Sequence, residues 1–341
     1  MPIRAMLVPR AEGPIPALDV WRGTAITFLL LGHFFEIPKI NFGRLGVEFF
    51  FVLSGFLMGR LLFIKRTPLG HFYRRRISRI FPAGYAFLIA MVSIRPLSGY
   101  GAPPYFTEAV SCFLFYVNYF VALQPNVYLH LPFNHFWSLC VEEHTYIFLS
   151  LLAFLCRRTG WATMPLLVTG LVGSFVTAWI VGSHENWDYY RVYWRSDCRA
   201  GSILCGVVAA CLASRGVGSL GKYGAFRSET LGWCCIAIGI FLNATMFHDY
   251  IKYTLGTIFL AAAILLISQH GSGWYWSFRP LVWLGTISYS VYLWQQPFFE
   301  AVHAGKIGFI PALLSAVAVG GASYYLWERP VRSYLNATWA K

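Results

Sequence analysis

Charged residues are scarce in this sequence. Only 12% of its 341 residues are charged, about half the share found in soluble domains. In contrast, 57% are hydrophobic, and the mean hydropathy is +0.55. A water-soluble globule of this size has no means of hiding so much apolar surface. The composition therefore excludes an ordinary soluble domain and predicts an integral membrane protein.

Other familiar patterns are missing as well. The eight cysteines include no CxxC pair, and we expect no metal site. Seven of them lie in apolar runs and only Cys198 lies in a polar loop, which argues against a disulfide framework. No long Ser/Gly-rich linker divides the chain. We therefore predict one membrane domain over residues 1–341, with a core of about 18–332 and a short cytoplasmic tail over 1–17. The tail has no cleavable signal pattern, so the first span should be retained.

Long apolar runs dominate the rest of the sequence. A run of about 18 or more apolar residues is long enough to cross the hydrocarbon core as a helix. Such runs lie at about 20–38, 46–64, 80–97, 137–156, 162–182, 200–214, 230–247, 253–270, 281–299 and 307–327. The predicted fold class is all-α, a polytopic transmembrane helical bundle of about ten spans.

The basic residues orient these spans. Cytoplasmic segments of membrane proteins are enriched in Lys and Arg. If Thr107–Leu123 does not cross, and both termini are cytoplasmic, most of the 27 Lys and Arg residues fall on the cytoplasmic side. If the segment does cross, the bias disappears. We therefore predict an interfacial or re-entrant segment there. The net charge of +13 follows the loops, so no nucleic-acid partner is expected.

The first span carries two ionisable residues. Arg22 and His33 are eleven positions apart, close to three whole turns, so they point from one helix face. At 1.5 Å per residue they are separated by about 16 Å along the axis. Ionisable residues at membrane depth are costly and by default indicate a functional site. The alternative is an arginine that reaches the headgroups and a histidine bonded to a neighbouring helix.

The fourth span places a carboxylate at a depth comparable to that of His33. Glu142 and Tyr146 share one helix face at i,i+4, whereas Glu143 points about 100° away. A carboxylate that fixes the tautomer of a catalytic histidine is a common arrangement. We predict that Glu142 orients His33. The alternative is a structural buried ion pair.

A run of arginines lies between the second and third spans. Arg76 and Arg79 are at i,i+3 in RRRISRIFP, at the expected cytoplasmic mouth. This pair is suited to a phosphate ligand, because the planar guanidinium binds phosphate through two parallel hydrogen bonds. The alternative is a topology signal of the cytoplasmic side.

The outer loop HENWDYYRVYWRSDCRAG is rich in aromatic residues. Its members Trp187, Tyr189, Tyr190 and Trp194 fit either an interfacial aromatic belt or a face that binds carbohydrate. The residue types alone leave both readings open.

Six motifs together resemble a known family. LDVWRGTAITFLLLGH, GVEFFFVLSGFL, RRRISRIFP, FWSLCVEEHTY, LGTISYSVYLWQQP and ERPVR occur in this order between Leu18 and Arg332. In sequence and order they resemble the landmarks of the acyltransferase 3 family of membrane O-acyltransferases. The resemblance implies a ten-span core. It also implies acylation of envelope polysaccharides, lipopolysaccharide sugars, peptidoglycan, Nod factors or macrolides from cytoplasmic acyl-CoA.

The resemblance also assigns residues. The family's arginine–histidine pair corresponds to Arg22 and His33, its RxxR pair to Arg76 and Arg79, and the acid of its WSL motif to Glu142. Tyr146 and Arg199 join the expected substrate-binding set. The chain departs from the family where Gln295 replaces a frequent histidine and where Gly201 replaces an acid that often follows Arg199 by two positions.

These observations lead to one functional hypothesis and two rivals. We expect an O-acyltransferase of a bacterial cytoplasmic (inner) membrane that moves an acyl group, most simply acetyl, from acyl-CoA to a carbohydrate or glycolipid acceptor. Membrane lipids and acyl-CoA are the expected partners, with no bound cofactor. His33 would act as general base or carry the acyl group itself. One rival is a transporter of protons or sugar lipids, although the internal repeats typical of many transporters are not apparent in this sequence. The other is a membrane scaffold without catalytic activity.

Overall fold

The fold is known from a computed structural model that describes residues 16–35, 37–94, 105–124, 129–184, 188–217, 224–268 and 274–339. Within these ranges the chain is helical and contains no strand. One isolated backbone bridge joins Ile40 and Ala244. The predicted all-α class is confirmed. Residues 1–15 of the predicted tail, and also Trp187, lie outside the described residues.

Fifteen α-helices follow one another along the described part of the chain. They are α1 (Pro16–Phe34), α2 (Phe42–Met58), α3 (Leu69–Ile94), α4 (Tyr105–Phe113), α5 (Val117–Ala122), α6 (Phe136–Thr159), α7 (Thr163–His184), α8 (Tyr189–Tyr193), α9 (Ser196–Ser214), α10 (Gly224–Leu242), α11 (Asp249–Ile251), α12 (Thr257–Ser268), α13 (Arg279–His303), α14 (Phe309–Ser323) and α15 (Arg329–Trp339). The π-helical segments Gly59–Ile64, Lys252–Gly256 and Tyr324–Glu328 continue α2, α11 and α14, and a 3₁₀ turn covers Trp274–Ser277.

Seven helical stretches in the described part of the chain are long and apolar enough to cross a membrane. They are Phe42–Ile64, Leu69–Ile94, Phe136–Thr159, Thr163–His184, Ser196–Ser214, Asp249–Ile267 and Phe309–Trp339. They identify a multi-pass membrane protein. The seven do not include α1 and α13, which carry polar residues such as Arg22 and Gln295, or the shorter apolar helix Ser228–Leu242. Adding these three would give ten spans. That count and the orientation of the termini stay predictions.

The segment Thr107–Leu123 forms two short helices instead of one long one. Helix α4 has nine residues and α5 has six, and between them Phe115 adopts a left-handed backbone conformation with φ 55°. At 1.5 Å per residue neither helix is long enough to cross a bilayer core. The amide of Asn118 on α5 is buried and donates to the carbonyl of Trp194 (3.1 Å) and to the hydroxyl of Ser196 (2.9 Å).

Helix α1 packs against α2 and α13, and α2 packs against α9. The contact between α1 and α13 is close because α13 has Gly285 where it crosses α1. A Cβ atom at this position would overlap the backbone carbonyl of Asp19. This packing brings side chains of α13 next to the polar residues of α1, and the candidate site is built from this packing.

Candidate active site

Three cavities adjoin one another along α1, and each shares lining residues with the next. The arginine vestibule, about 1140 Å³, is lined by Arg22, Arg60, Lys65, Arg79 and Arg332, together with Asp19 and Glu328. The central chamber, about 780 Å³, is lined by Ser54, Arg76, Ser138, Glu142 and Tyr146. The histidine cleft, about 1060 Å³, is lined by His33, His135, Tyr189, Tyr190 and Trp194. Arg22 and Arg79 line both the vestibule and the chamber, and Val47 and Tyr292 line both the chamber and the cleft.

The arginine vestibule is strongly positive. Five basic side chains line it against two acidic ones. Arg22 is paired with Asp19, one turn earlier on α1, at 3.0 Å. The guanidinium of Arg79, in contrast, has no hydrogen bond or ion pair within the described residues. An unpaired guanidinium on a cavity wall is available to an anionic ligand.

The central chamber contains a largely buried cluster around Arg76. Its Nε donates to Glu143 (3.0 Å), and one terminal nitrogen donates to Glu142 (3.3 Å). The guanidinium carbon lies 3.2 Å from the centre of the Tyr146 ring. The Tyr146 hydroxyl donates to Glu142 (3.0 Å) and also contacts the hydroxyl of Ser54. Two carboxylates therefore already balance the charge of Arg76, which makes it less available to a phosphate than Arg79.

Two expectations about α6 need correction. Glu142 was expected to orient His33, but its partners are Arg76 and Tyr146. Glu143 was expected to point away from the site, yet it accepts the shorter of the two hydrogen bonds from Arg76. The physical reason is that the long guanidinium side chain reaches across to α6 and binds two adjacent carboxylates, although these lie about 100° apart on the helix.

His33 takes its orienting partner from α13 instead. Its Nδ1 lies 2.7 Å from Oε1 of Gln295, and its ring packs 4.4 Å from that of Phe299. Because the amide Nε2 of Gln295 donates to Gln296 (3.3 Å), the oxygen is the atom turned toward the ring. Nδ1 is then the donor, which leaves a lone pair on Nε2 of the neutral imidazole. Within the described residues Nε2 has no hydrogen bond.

The chamber and the cleft meet at a neck formed by Val47 of α2 and Tyr292 of α13. The Tyr292 hydroxyl donates to the backbone carbonyl of His135 (2.7 Å) and lies 2.6 Å from the hydroxyl of Ser138. These bonds fix the tyrosine side chain between the two cavities. The position of the neck is therefore defined by α2, the start of α6 and α13.

Aromatic side chains form one wall of the histidine cleft. Tyr189, Tyr190 and Trp194, three members of the aromatic loop, lie on the cavity that also contains His33. The guanidinium of Arg44 stacks 4.4 Å from the Tyr189 ring. Burial raises the pKa of Tyr189, so its hydroxyl stays protonated at neutral pH. Aromatic rings and neutral hydroxyls along a cavity wall suit the apolar faces and hydroxyls of a sugar.

Arg199 does not line any of the three cavities. Its side chain is only 1% exposed and forms a buried ion pair with Glu48 of α2. The same carboxylate accepts hydrogen bonds from Ser202 (2.9 Å) and Thr257 (2.8 Å). In the family an acid often follows this arginine by two positions, where this chain has Gly201. Here Glu48, from another helix, provides the carboxylate that pairs with Arg199. In this structure Arg199 therefore has a buried structural partner in place of the cavity position expected of a substrate-binding residue.

Several residues of these cavities were not predicted from the sequence. Tyr292 and Val47 carry no sequence signal for a neck, and His135 directly precedes the FWSLCVEEHTY motif that contains Glu142. Gln295 had been recognised only as a departure from the family. The signal that could have found it is the presence of a polar residue within a long apolar helix.

The comparison with known proteins defines the class. The family of the Acyltransferase domain matches residues 15–327, which cover α1–α14 and every lining residue named above except Glu328 and Arg332. The chain belongs to this family of acyltransferases.

The chain is also similar to individual members of this family. The chain is 28% identical over 313 residues to the peptidoglycan O-acetyltransferase OatA of Listeria monocytogenes, covering 83% of this chain and 49% of that protein. It is 27% identical over 355 residues to the O-acetyltransferase OatA of Staphylococcus aureus, covering 93% of this chain and 57% of that protein. The chain spans about half the length of the curated relatives it matches. No solved structure is significantly similar to it.

Proposed function

We propose that this protein transfers an acetyl group from acyl-CoA to a hydroxyl of an envelope glycan. The acceptor to test first is peptidoglycan, because a relative is named for this substrate. The observation that carries the proposal is the series of three adjoining cavities. It joins an anion-binding vestibule at one end to an aromatic, histidine-containing cleft at the other.

The arginine vestibule would bind the donor. Acyl-CoA carries several phosphate charges, and guanidinium groups recognise phosphate through charge-assisted hydrogen bonds. Arg79 supplies an unpaired guanidinium, with Arg22 and Arg332 beside it. The excess of basic residues at this end favours the cytoplasmic side of a bacterial inner membrane, where acyl-CoA is made. The thioester arm would then extend into the central chamber.

The histidine cleft would bind the acceptor. With Nδ1 donating to Gln295, His33 Nε2 takes the proton of the acceptor hydroxyl. The hydroxyl oxygen attacks the thioester carbonyl, the C–S bond breaks, and the CoA thiolate leaves and recovers a proton. This general-base role requires only the lone pair that the observed hydrogen bond leaves on Nε2.

The remaining predicted residues receive other roles in this proposal. Arg76, Glu142 and Tyr146 form the electrostatic frame of the central chamber, and Glu142 acts there instead of on His33. Arg199 holds α9 against α2 through Glu48. Arg22 lies where the vestibule opens into the chamber and would contact the donor.

A radiolabel assay tests the function. Purified protein in detergent is given acetyl-CoA labelled in the acetyl group and a soluble N-acetylglucosamine–N-acetylmuramic acid tetrasaccharide. We expect free CoA and labelled tetrasaccharide in equal amounts, and their loss in His33→Ala protein that accumulates normally. Folded wild-type protein that releases no CoA in the presence of the acceptor would instead favour the transporter. Near-normal transfer by His33→Ala would reject the general-base role.

A further inference from the structure

Of the three histidines that line the histidine cleft, His135 has a distinct environment. His33 binds Gln295 through Nδ1, and His303 lies 3.0 Å from the backbone carbonyl of Phe299 through its Nδ1. Neither ring nitrogen of His135 has a hydrogen-bond partner within the described residues, although the residue is only 4% exposed. A buried polar group normally has a partner, so each exception requires an explanation.

Aromatic neighbours hold the His135 ring in place. Its centre lies 5.1 Å from that of Phe136 and 5.3 Å from those of Phe87 and Tyr292, with the rings edge to face. The backbone carbonyl of His135 accepts from both Tyr292 (2.7 Å) and Ser138 (3.2 Å). Aromatic packing and backbone bonds therefore hold the residue in place, while its nitrogens remain unpaired.

A structural role does not explain this arrangement. A phenylalanine ring would make similar packing contacts without the desolvation penalty of two unpaired nitrogens. A neutral imidazole offers one donor and one acceptor, which matches a sugar hydroxyl or an acetamido group. The cleft that His135 lines also contains His33 and the aromatic wall of Tyr189 and Trp194.

We propose that His135 is a positioning residue for the acceptor. Its ring nitrogens offer a donor and an acceptor to hydroxyl or acetamido substituents of the glycan and thereby hold the reacting hydroxyl at His33. This inference rests on the proposed function, because it assumes that a glycan occupies the histidine cleft. It predicts an effect on the acceptor alone, since His135 does not line the arginine vestibule.

Acceptor kinetics test the proposal. The tetrasaccharide is varied at saturating acetyl-CoA for the wild-type protein, His135→Phe and His135→Gln. His135→Phe should raise the KM for the tetrasaccharide at least tenfold and leave the KM for acetyl-CoA within twofold. His135→Gln should restore most of the affinity, because an amide again offers a donor and an acceptor. His248→Phe makes the same substitution at an exposed loop position outside the cleft and should behave as wild type.

The outcomes separate this inference from the proposed function. An active wild-type protein whose His135→Phe variant keeps the wild-type acceptor KM would overturn the inference and leave the function intact. If His135→Phe does not accumulate, His135→Leu takes its place. If neither variant accumulates, the ring nitrogens are required for folding, and the inference is also overturned. A wild-type protein without transfer activity rejects the proposed function. Tetrasaccharide binding, followed by tryptophan fluorescence, then decides on His135: binding lost in His135→Phe supports its role, and binding retained or absent throughout rejects it.

Discussion

Nδ1 of His33 lies 2.7 Å from the amide oxygen of Gln295, so a neutral residue of α13 fixes the ring that α1 presents to the cleft. An amide can hold a tautomer but cannot neutralise an imidazolium as a carboxylate would. The histidine is therefore oriented by a hydrogen bond, while both nearby carboxylates of α6 are committed to Arg76.

Gln295→Ala should lower kcat by roughly fivefold to tenfold, because it removes one neutral hydrogen bond worth about 1 kcal/mol. The KM for acetyl-CoA should not change. Gln295→Glu keeps an acceptor oxygen at the same position and should retain more activity than the alanine variant. Steady-state kinetics of the two variants measure the effect. An alanine variant with wild-type kcat would mean that the ring needs no support from α13.

Gly43→Ala should impair catalysis by crowding His33. A Cβ atom at residue 43 would lie 3.0 Å from Cδ2 and 3.2 Å from Nε2 of the imidazole. The ring would have to move by a few tenths of an ångström, and misplacement of reacting groups on this scale is costly in rate. We expect about a tenfold loss of kcat at normal accumulation. Gly173→Ala, where an added Cβ meets no atom within 4 Å, is the matched control and should be fully active.

Lysine substitutions should separate the two arginines of the RxxR motif. Arg79→Lys should raise the KM for acetyl-CoA several-fold, because a point charge replaces a planar fork on the vestibule wall. Arg76→Lys should instead lower the melting temperature in detergent, because the lysine replaces a guanidinium that binds two partly buried carboxylates. Equal donor KM values for Arg79→Lys and the wild type would reduce Arg79 to a topology signal.

Val47→Ala should widen the neck and change the selectivity for acyl length. One methylene in an apolar site is worth about 1–3 kcal/mol, so the ratio of propionyl to acetyl transfer should rise about tenfold. Kinetics with propionyl-CoA and acetyl-CoA measure this ratio. Leu45→Ala truncates a buried residue of the same helix that does not line the neck and should leave the ratio unchanged. An unchanged ratio in both variants would place the acyl-selective contact elsewhere.

Glu48→Gln should destabilise the protein without altering its substrate affinities. Breaking one partner of a buried ion pair costs about 3–5 kcal/mol, because the other charge stays buried. Thermal unfolding in detergent should show a clear loss for the single variant and recovery in the double variant Glu48→Leu, Arg199→Met. A changed KM for either substrate in the surviving double variant would return Arg199 to the binding site.

The helices and several residues of this site could be predicted from the sequence, but the contacts between these residues could not. The apolar runs identified the helices, and the aromatic loop supplied the cleft wall because local composition determines both. The pairing of Glu142 with His33 was wrong because equal depth and a shared face do not reveal which helices are neighbours. Helix α1 packs against α13 through Gly285, and this choice depends on tertiary packing that one sequence does not display.

The neck formed by Val47 and Tyr292 bears on the membrane potential. In the proposed orientation, the vestibule opens toward the cytoplasm and the cleft toward the opposite side, so the two solvent compartments approach each other along α1. Moving one elementary charge across a membrane potential releases about 2.3 kcal/mol per 100 mV. A water-filled passage through the protein would let ions leak and would dissipate this potential. In this proposal an apolar side chain beside a hydrogen-bonded tyrosine would admit an uncharged acetyl group and exclude hydrated ions. The same two residues would therefore insulate the membrane while the acyl group crosses it.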